Sequence, residues 1–227
     1  IIFKIFKIPK FSYEHLVGIG LGIGPFENDE NNIIYNHTKR TLNKSIFLSV
    51  RDNESLSLLK EMNINQSRMD TDLSFFSEAW IDENTLDNKN ENTKKNKISL
   101  IIRAWPFEGK GKDIENSFEK TIAFLKSKNY KVQLVSLYKE KDISVINKYN
   151  KEEWLIWNPN DYSIKDFFNK LKQTTDIVIS VRAHGVLLSS IVGIPSISII
   201  IEPKLKNIAE LLPNSVSVLD NLDDLAL

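Results

Sequence analysis

Unbroken apolar segments at 177–181 (IVISV) and 196–201 (SISIII), their regular alternation with amphipathic helical stretches, and a polar interruption at 82–97 predict an α/β protein of two Rossmann-like lobes with parallel sheets. Strands covered on both faces lose the apolar–polar alternation of a half-exposed sheet, so a continuous apolar run between helices marks a parallel strand. The interruption, DENTLDNKNENTKKNK, is almost devoid of apolar residues and reads as a surface linker. On that basis residues 1–90, linker included, form a first lobe and residues 91–227 a second.

In chain order, residues 14–24 read as a buried strand entering a glycine turn that Pro25 stops. Residues 29–43 carry a weak helical pattern, 45–50 a short strand, and 53–62 a helix with Asn53 as N-cap and Leu56, Leu58 and Leu59 as its apolar face. After the linker come a strand at 98–103, a helix at 114–128 and a strand at 131–137. A helix at 142–149, a strand at 154–157 and a helix at 164–173 follow, then the strand at 177–181 and a helix at 184–192. The strand at 196–201, a helix at 205–212 and a strand at 215–218 complete the pattern. The second lobe is thus a whole Rossmann-like unit. The first has two or three strands and is expected to be incomplete, roughly a hundred residues short of a typical domain; a chain opening on Ile1 instead of Met fits a fragment.

Composition removes several function classes. With no Cys, disulfide frameworks, zinc ribbons, thiol catalysis and cysteine-ligated clusters are excluded. Thirty Lys and Arg balance thirty Asp and Glu, which argues against a protein whose task is neutralising nucleic-acid phosphates. No apolar run reaches the roughly 20 residues that span a bilayer. The opening IIFKIFKIPKF is too interrupted by Lys for a signal peptide, so a cytoplasmic location is expected.

Four of the eight glycines, Gly18, Gly20, Gly22 and Gly24, fall within seven residues. Their register misses the 1-3-6 spacing of a dinucleotide loop, and no Lys-Ser/Thr pair follows. The segment is either a strand end left open to a passing ligand or a site of tight strand–helix packing. Arg51-Asp52 stands where a strand ends and a helix begins, a place for an anion or for a local ion pair and cap. Asp70-Thr71-Asp72 spells an Asp-x-Asp, but no further ligand cluster accompanies it, so no metal site is assigned.

The strongest constellation is Ser180-Val181-Arg182-Ala183-His184-Gly185, where a buried strand delivers Arg182 and His184 to a helix start with Ala183 turned away. Arg103-Ala104-Trp105 ends the first strand of the same lobe, and Lys204 follows the strand at 196–201. Ligands of parallel sheets bind outside the strands' carboxyl ends. Arg103, Arg182, Lys204 and His184 therefore gather on one rim: three cations and a titratable imidazole, suited to a multiply charged anion and to proton transfer. His15 and His37 lack such company, and Trp154 and Trp157 are expected to pack in the sheet.

The succession GIGPF, SVRDNES, TDLSF, RAW after a strand, then RAHG, GIPSISI and PK resembles the polysaccharide pyruvyl transferase family over about residues 16–213. RAW with Asp142 after the next strand is most similar to the bacterial branch that pyruvylates cell-wall polysaccharides. The resemblance implies a GT-B-like arrangement of two Rossmann-like lobes and transfer of the enolpyruvyl group of phosphoenolpyruvate to two sugar hydroxyls. It implies His184 of the Arg-x-His motif as general acid with Arg182 beside it. Arg103, Lys204, Arg51, Asp72, Gly22 and Gly24 would then be substrate-binding, with no metal or cofactor. The acceptor would be a glycan or lipid-linked saccharide, which could bring the protein to a membrane surface. Two departures stand out: Leu73 replaces the proline expected after Asp72, and the Gly-Asp-containing opening segment is absent. The alternatives are a glycosyltransferase using a nucleotide sugar on the same rim, and a non-catalytic homologue. An incomplete lobe would expose sheet edge, so self-association is expected.

Overall fold

A computed structural model of the 227-residue chain describes residues 15–24, 26, 33–76, 96–103, 111–161, 163–201 and 203–220. The chain divides into two compact units, residues 1–75 and 76–227. The boundary drawn at residue 90 from composition, most of the 82–97 linker, the opening IIFKIFKIPKF and Trp105 lie outside the described residues.

The first unit holds β1 (Leu16–Leu21), α1 (Ile33–Leu42), β2 (Ser45–Val50), α2 (Asn53–Glu61), β3 (Ser67–Met69) and a 3-10 turn at Leu73–Phe75. Its three strands are parallel, in the order β1-β2-β3. Leu48 and Val50 of β2 pack with Ile23, Leu42, Leu59, Met62 and Ile64 into its core. The glycine cluster is where β1 loses regular pairing: the register shifts between Gly18 and Leu21. Gly20 sits at φ +57° and a Cβ there would lie 2.6 Å from the Thr71 carbonyl oxygen, so only glycine fits. The N-cap of α2 is Asp52, not Asn53: its carboxylate accepts from Ser55 N–H at 2.7 Å. A carboxylate one residue earlier reaches the exposed N–H groups that Asn53, already helical, cannot.

The second unit alternates β4 (Lys97–Ile101), α3 (Gly111–Ser127), β5 (Lys131–Ser136), α4 (Lys139–Lys148), β6 (Glu153–Ile156), α5 (Ile164–Thr174), β7 (Ile177–Ser180), α6 (Ala183–Ile191), β8 (Ser196–Ile199), α7 (Pro203–Glu210) and β9 (Val216–Leu219). The six strands are all parallel in the order β6-β5-β4-β7-β8-β9. Counted within the unit this is 3-2-1-4-5-6, the doubly wound order, and the direction of winding reverses between β4 and β7. Both lobes are therefore Rossmann-like α/β assemblies on parallel sheets. Alternation along β4 feeds two cores: Ile98, Leu100 and Ile102 join Phe118, Ile122 and Leu125 of α3, while Ile101 joins Phe167, Phe168 and Leu171 of α5. The helix placed at 205–212 begins earlier, at Pro203, because proline's fixed φ and missing N–H suit a first helical turn.

At the amino ends of the central strands, buried polar groups satisfy one another. Ser99 Oγ lies 2.7 Å from Thr175 Oγ1, and Lys97 N–H donates to Asp176 Oδ2 at 3.2 Å. Gln133 Nε2 and Lys97 Nζ both donate to Glu153, at 2.8 Å and 2.7 Å. The Lys97 ammonium holds the Glu153 carboxyl below its ordinary value, against the opposing effect of burial. Among the described residues no helix is long and apolar enough to cross a membrane.

Candidate functional site

The carboxyl ends of β4, β7 and β8, three neighbouring strands, carry all four rim residues of the second unit. Arg103 stands two residues beyond β4. Arg182 is the N-cap of α6, in extended conformation (φ −119°, ψ 126°), and His184 lies in that helix's first turn. Lys204 lies in the first turn of α7, which follows β8 and packs on α6. Arg103, Arg182, His184 and Lys204 are all half-buried, whereas Ala183 is buried.

The turn from β7 into α6 is locked by its own side chain. Ser180 Oγ accepts from Arg182 N–H at 3.0 Å and donates to the Arg182 carbonyl at 2.9 Å. Gly185 packs so closely that a Cβ would collide with Ser180 Oγ and come within 2.9 Å of Ile101 Cδ1. Its role is an internal approach of helix to strand.

Arg182 does not stand alone on the rim. Its Nη2 is paired with Asp142 Oδ1, and its Nε points at the Ile102 carbonyl, 3.4 Å away. Asp142, on α4, is 1% exposed, and its Oδ2 accepts from Ser136 Oγ at 2.7 Å. The arginine thus reaches from β7 across the end of β4 to the helix after β5. Arg182 is matched by a buried anion, a partner that sequence reasoning did not assign. The sequence singled out Asp142 only as part of the family resemblance, and the strand order puts it opposite Arg182.

The helix starts differ in charge. The first turns of α2, α4 and α5 hold acidic residues, Glu54, then Glu140 and Asp142, then Asp166. Those of α1, α6 and α7 hold none. Cations at the positive end of a helix dipole cost about 0.3–1 kcal/mol each unless an anion joins them, so a helix start of this kind can take negative charge.

In the first unit Arg51 leaves β2 and pairs its Nη1 with Asp72 Oδ2 at 2.5 Å; Asp52 lies farther off, at 3.7 Å. Asp72 is 7% exposed, and its Oδ1 accepts from Ser74 N–H at 3.0 Å and Ser74 Oγ at 2.8 Å. The guanidinium lies over Gly22, where a Cβ would be 2.5 Å from Nη2. Gly24, at φ +81°, packs against Leu58. Asp70 is exposed and pairs with Arg68 at 3.6 Å, so the two carboxylates of Asp-x-Asp face different partners. Among the described residues no group of three or more His, Asp or Glu could hold a metal ion. His15 and His37 are exposed. Trp154 packs in the core with its Nε1–H on the Tyr149 carbonyl at 2.9 Å, and Trp157 packs on the opposite face.

Comparison with family models matches residues 1–203 to the one described as polysaccharide pyruvyl transferase. Comparison with curated proteins finds no match.

Proposed function

The chain belongs to the polysaccharide pyruvyl transferase family, and from that premise we propose that it moves the enolpyruvyl group of phosphoenolpyruvate onto a sugar of a cell-surface polysaccharide precursor. The observation that carries this reading is the row of Arg103, Arg182, His184 and Lys204 along the ends of three adjacent strands. Phosphoenolpyruvate presents a carboxylate and a phosphate, which Arg103, Arg182 and Lys204 hold as charge-assisted hydrogen bonds. His184 gives a proton to the methylene carbon, and the adjacent carbon becomes oxocarbenium-like. One sugar hydroxyl adds to that carbon and a second displaces phosphate from it. The products are a cyclic ketal and inorganic phosphate, with each hydroxyl proton passing to a base or to phosphate. This chemistry needs no metal and no cofactor, because the donor carries its own leaving group.

The strand ends of the first unit, with Arg51, Asp72, Gly22 and Gly24, serve a different part of the substrate. Their charges nearly cancel, which suits the neutral hydroxyls of a glycan or lipid-linked saccharide. A lipid-linked acceptor would draw the protein to a membrane surface from the cytoplasm, where the donor is made. Val17 and Ile19, exposed on β1 at the edge of the three-stranded sheet, favour self-association, which sedimentation would detect as a concentration-dependent mass.

The test is phosphate release from phosphoenolpyruvate in the presence of a glycan acceptor. His184→Ala should lower it roughly 100-fold or more; undiminished turnover would remove His184 as the acid. Tighter binding of a nucleoside diphosphate than of phosphoenolpyruvate would favour a glycosyltransferase, and binding of neither a non-catalytic homologue.

A further inference from the structure

Of the two acidic residues in the first turn of α4, Glu140 is exposed and Asp142 is turned inward. A carboxylate that only complemented the helix dipole could remain in water as Glu140 does. Asp142 is instead 1% exposed, with one oxygen on Arg182 and the other on Ser136. Burial of an ion this complete is tolerated only where its partners are fixed. Its target lies 40 residues along the chain, on the far side of β4. Asp142 therefore joins the two halves of the sheet through Arg182.

We propose that Asp142, oriented by Ser136, is a positioning residue. It holds the Arg182 guanidinium in one geometry at the rim, so that a bound phosphoenolpyruvate meets a pre-formed donor instead of a mobile side chain. The role in turnover rests on the donor reading given above; the hold on Arg182 does not.

The two effects of Asp142 oppose each other, and this makes them separable. Its charge disfavours an anion nearby, whereas its grip on Arg182 favours correct alignment. Asp142→Asn keeps the shape and removes the charge. Inorganic phosphate, measured by calorimetry, should then bind as tightly as to the unaltered chain or more tightly. Turnover of phosphoenolpyruvate should fall about tenfold through kcat. In an Arg182→Ala background the same substitution should cost nothing further, because its route of action is gone. The Arg182 Nε–H resonance, identified by its loss in Arg182→Lys, should be resolved in the unaltered chain and move to the position of mobile arginines in Asp142→Asn.

Phosphate affinity and turnover falling by one common factor would overturn the proposal, as would additive effects of Asp142→Asn and Arg182→Ala, or an Nε–H resonance that does not move. If the unaltered chain turns over no phosphoenolpyruvate, the donor reading fails, and the resonance alone decides whether Asp142 holds Arg182. Should Asp142→Asn not fold, Ser136→Ala leaves the ion pair in place. With the charge kept and only its orientation loosened, phosphate affinity should stay unchanged, turnover should fall about threefold and the resonance should shift part of the way; an unmoved resonance there would likewise sink the idea.

Discussion

Each unit fastens an arginine at a strand end to a buried aspartate that a serine holds in turn: Arg51–Asp72–Ser74 in the first, Arg182–Asp142–Ser136 in the second. The arginines are similarly enclosed, with side chains 19% and 13% exposed. Their surroundings differ. Arg51 precedes a helix capped by Asp52 and carrying Glu54, so acid outweighs base there. Arg182 opens a helix without first-turn acid, and Arg103, His184 and Lys204 stand on the same rim. The same three-residue device thus stands in two different electrostatic settings, and the neighbouring helix starts, not the arginine, make the difference.

The comparison breaks most visibly at the arginines. Arg182→Ala should lower kcat/KM for phosphoenolpyruvate about 1000-fold, the cost of removing a donor aimed at developing charge. Arg51→Ala should leave donor affinity nearly intact; an equal loss from both would show that the two devices serve one anion. Asp72→Ala comes next, as a stability effect. Leaving Arg51 enclosed over Gly22 without its carboxylate should cost about 3 kcal/mol in urea unfolding, with little change in phosphate binding.

How these contrasts could be seen in the sequence differs by element. The strand at 177–181 was legible because burial on both faces leaves an apolar run that no helix period explains. The three-residue β3 was not, since Ser67, Arg68 and Met69 carry no apolar pattern and become a strand only by pairing with β2. The rim was legible because Arg182, His184, Arg103 and Lys204 each sit just past a recognisable strand. Their shared end of the sheet follows from the strands being parallel, whereas their neighbourhood depends on the order β4-β7-β8. The partners of the arginines stayed hidden. Asp72 lies 21 residues from Arg51 and spells half of an Asp-x-Asp, and Asp142, 40 residues from Arg182, entered only through the family resemblance. Pairing across a sheet is a property of strand order, not of any local spacing.

Two smaller effects sharpen the contrast. Asp52→Ala should cost about 1 kcal/mol, measured as a shift in the urea midpoint. No side chain caps α6, where Arg182 occupies the equivalent place. Away from both devices, Glu153 is held below its ordinary pKa of 4.5 by the Lys97 ammonium, so it stabilises the fold above that pH and loses its contribution as pH falls through the lowered value. Its carboxylate is half exposed, so the effect should stay below about 1 kcal/mol. Glu153→Gln should lower stability in the neutral range by that amount, leave it unchanged at the acid extreme and so flatten the acid limb of a stability–pH curve; an acid limb as steep as before would remove the Lys97 pair from its causes.

The seam between β4 and β7 is fastened at both extremities. Lys97 and Asp176 exchange backbone and side-chain hydrogen bonds at one end, with Ser99 against Thr175 beside them. Arg182 is tied to Asp142 at the other. A sheet stitched in this way cannot part along its middle without rupturing a buried ion pair, so its two βαβ halves move as one plate.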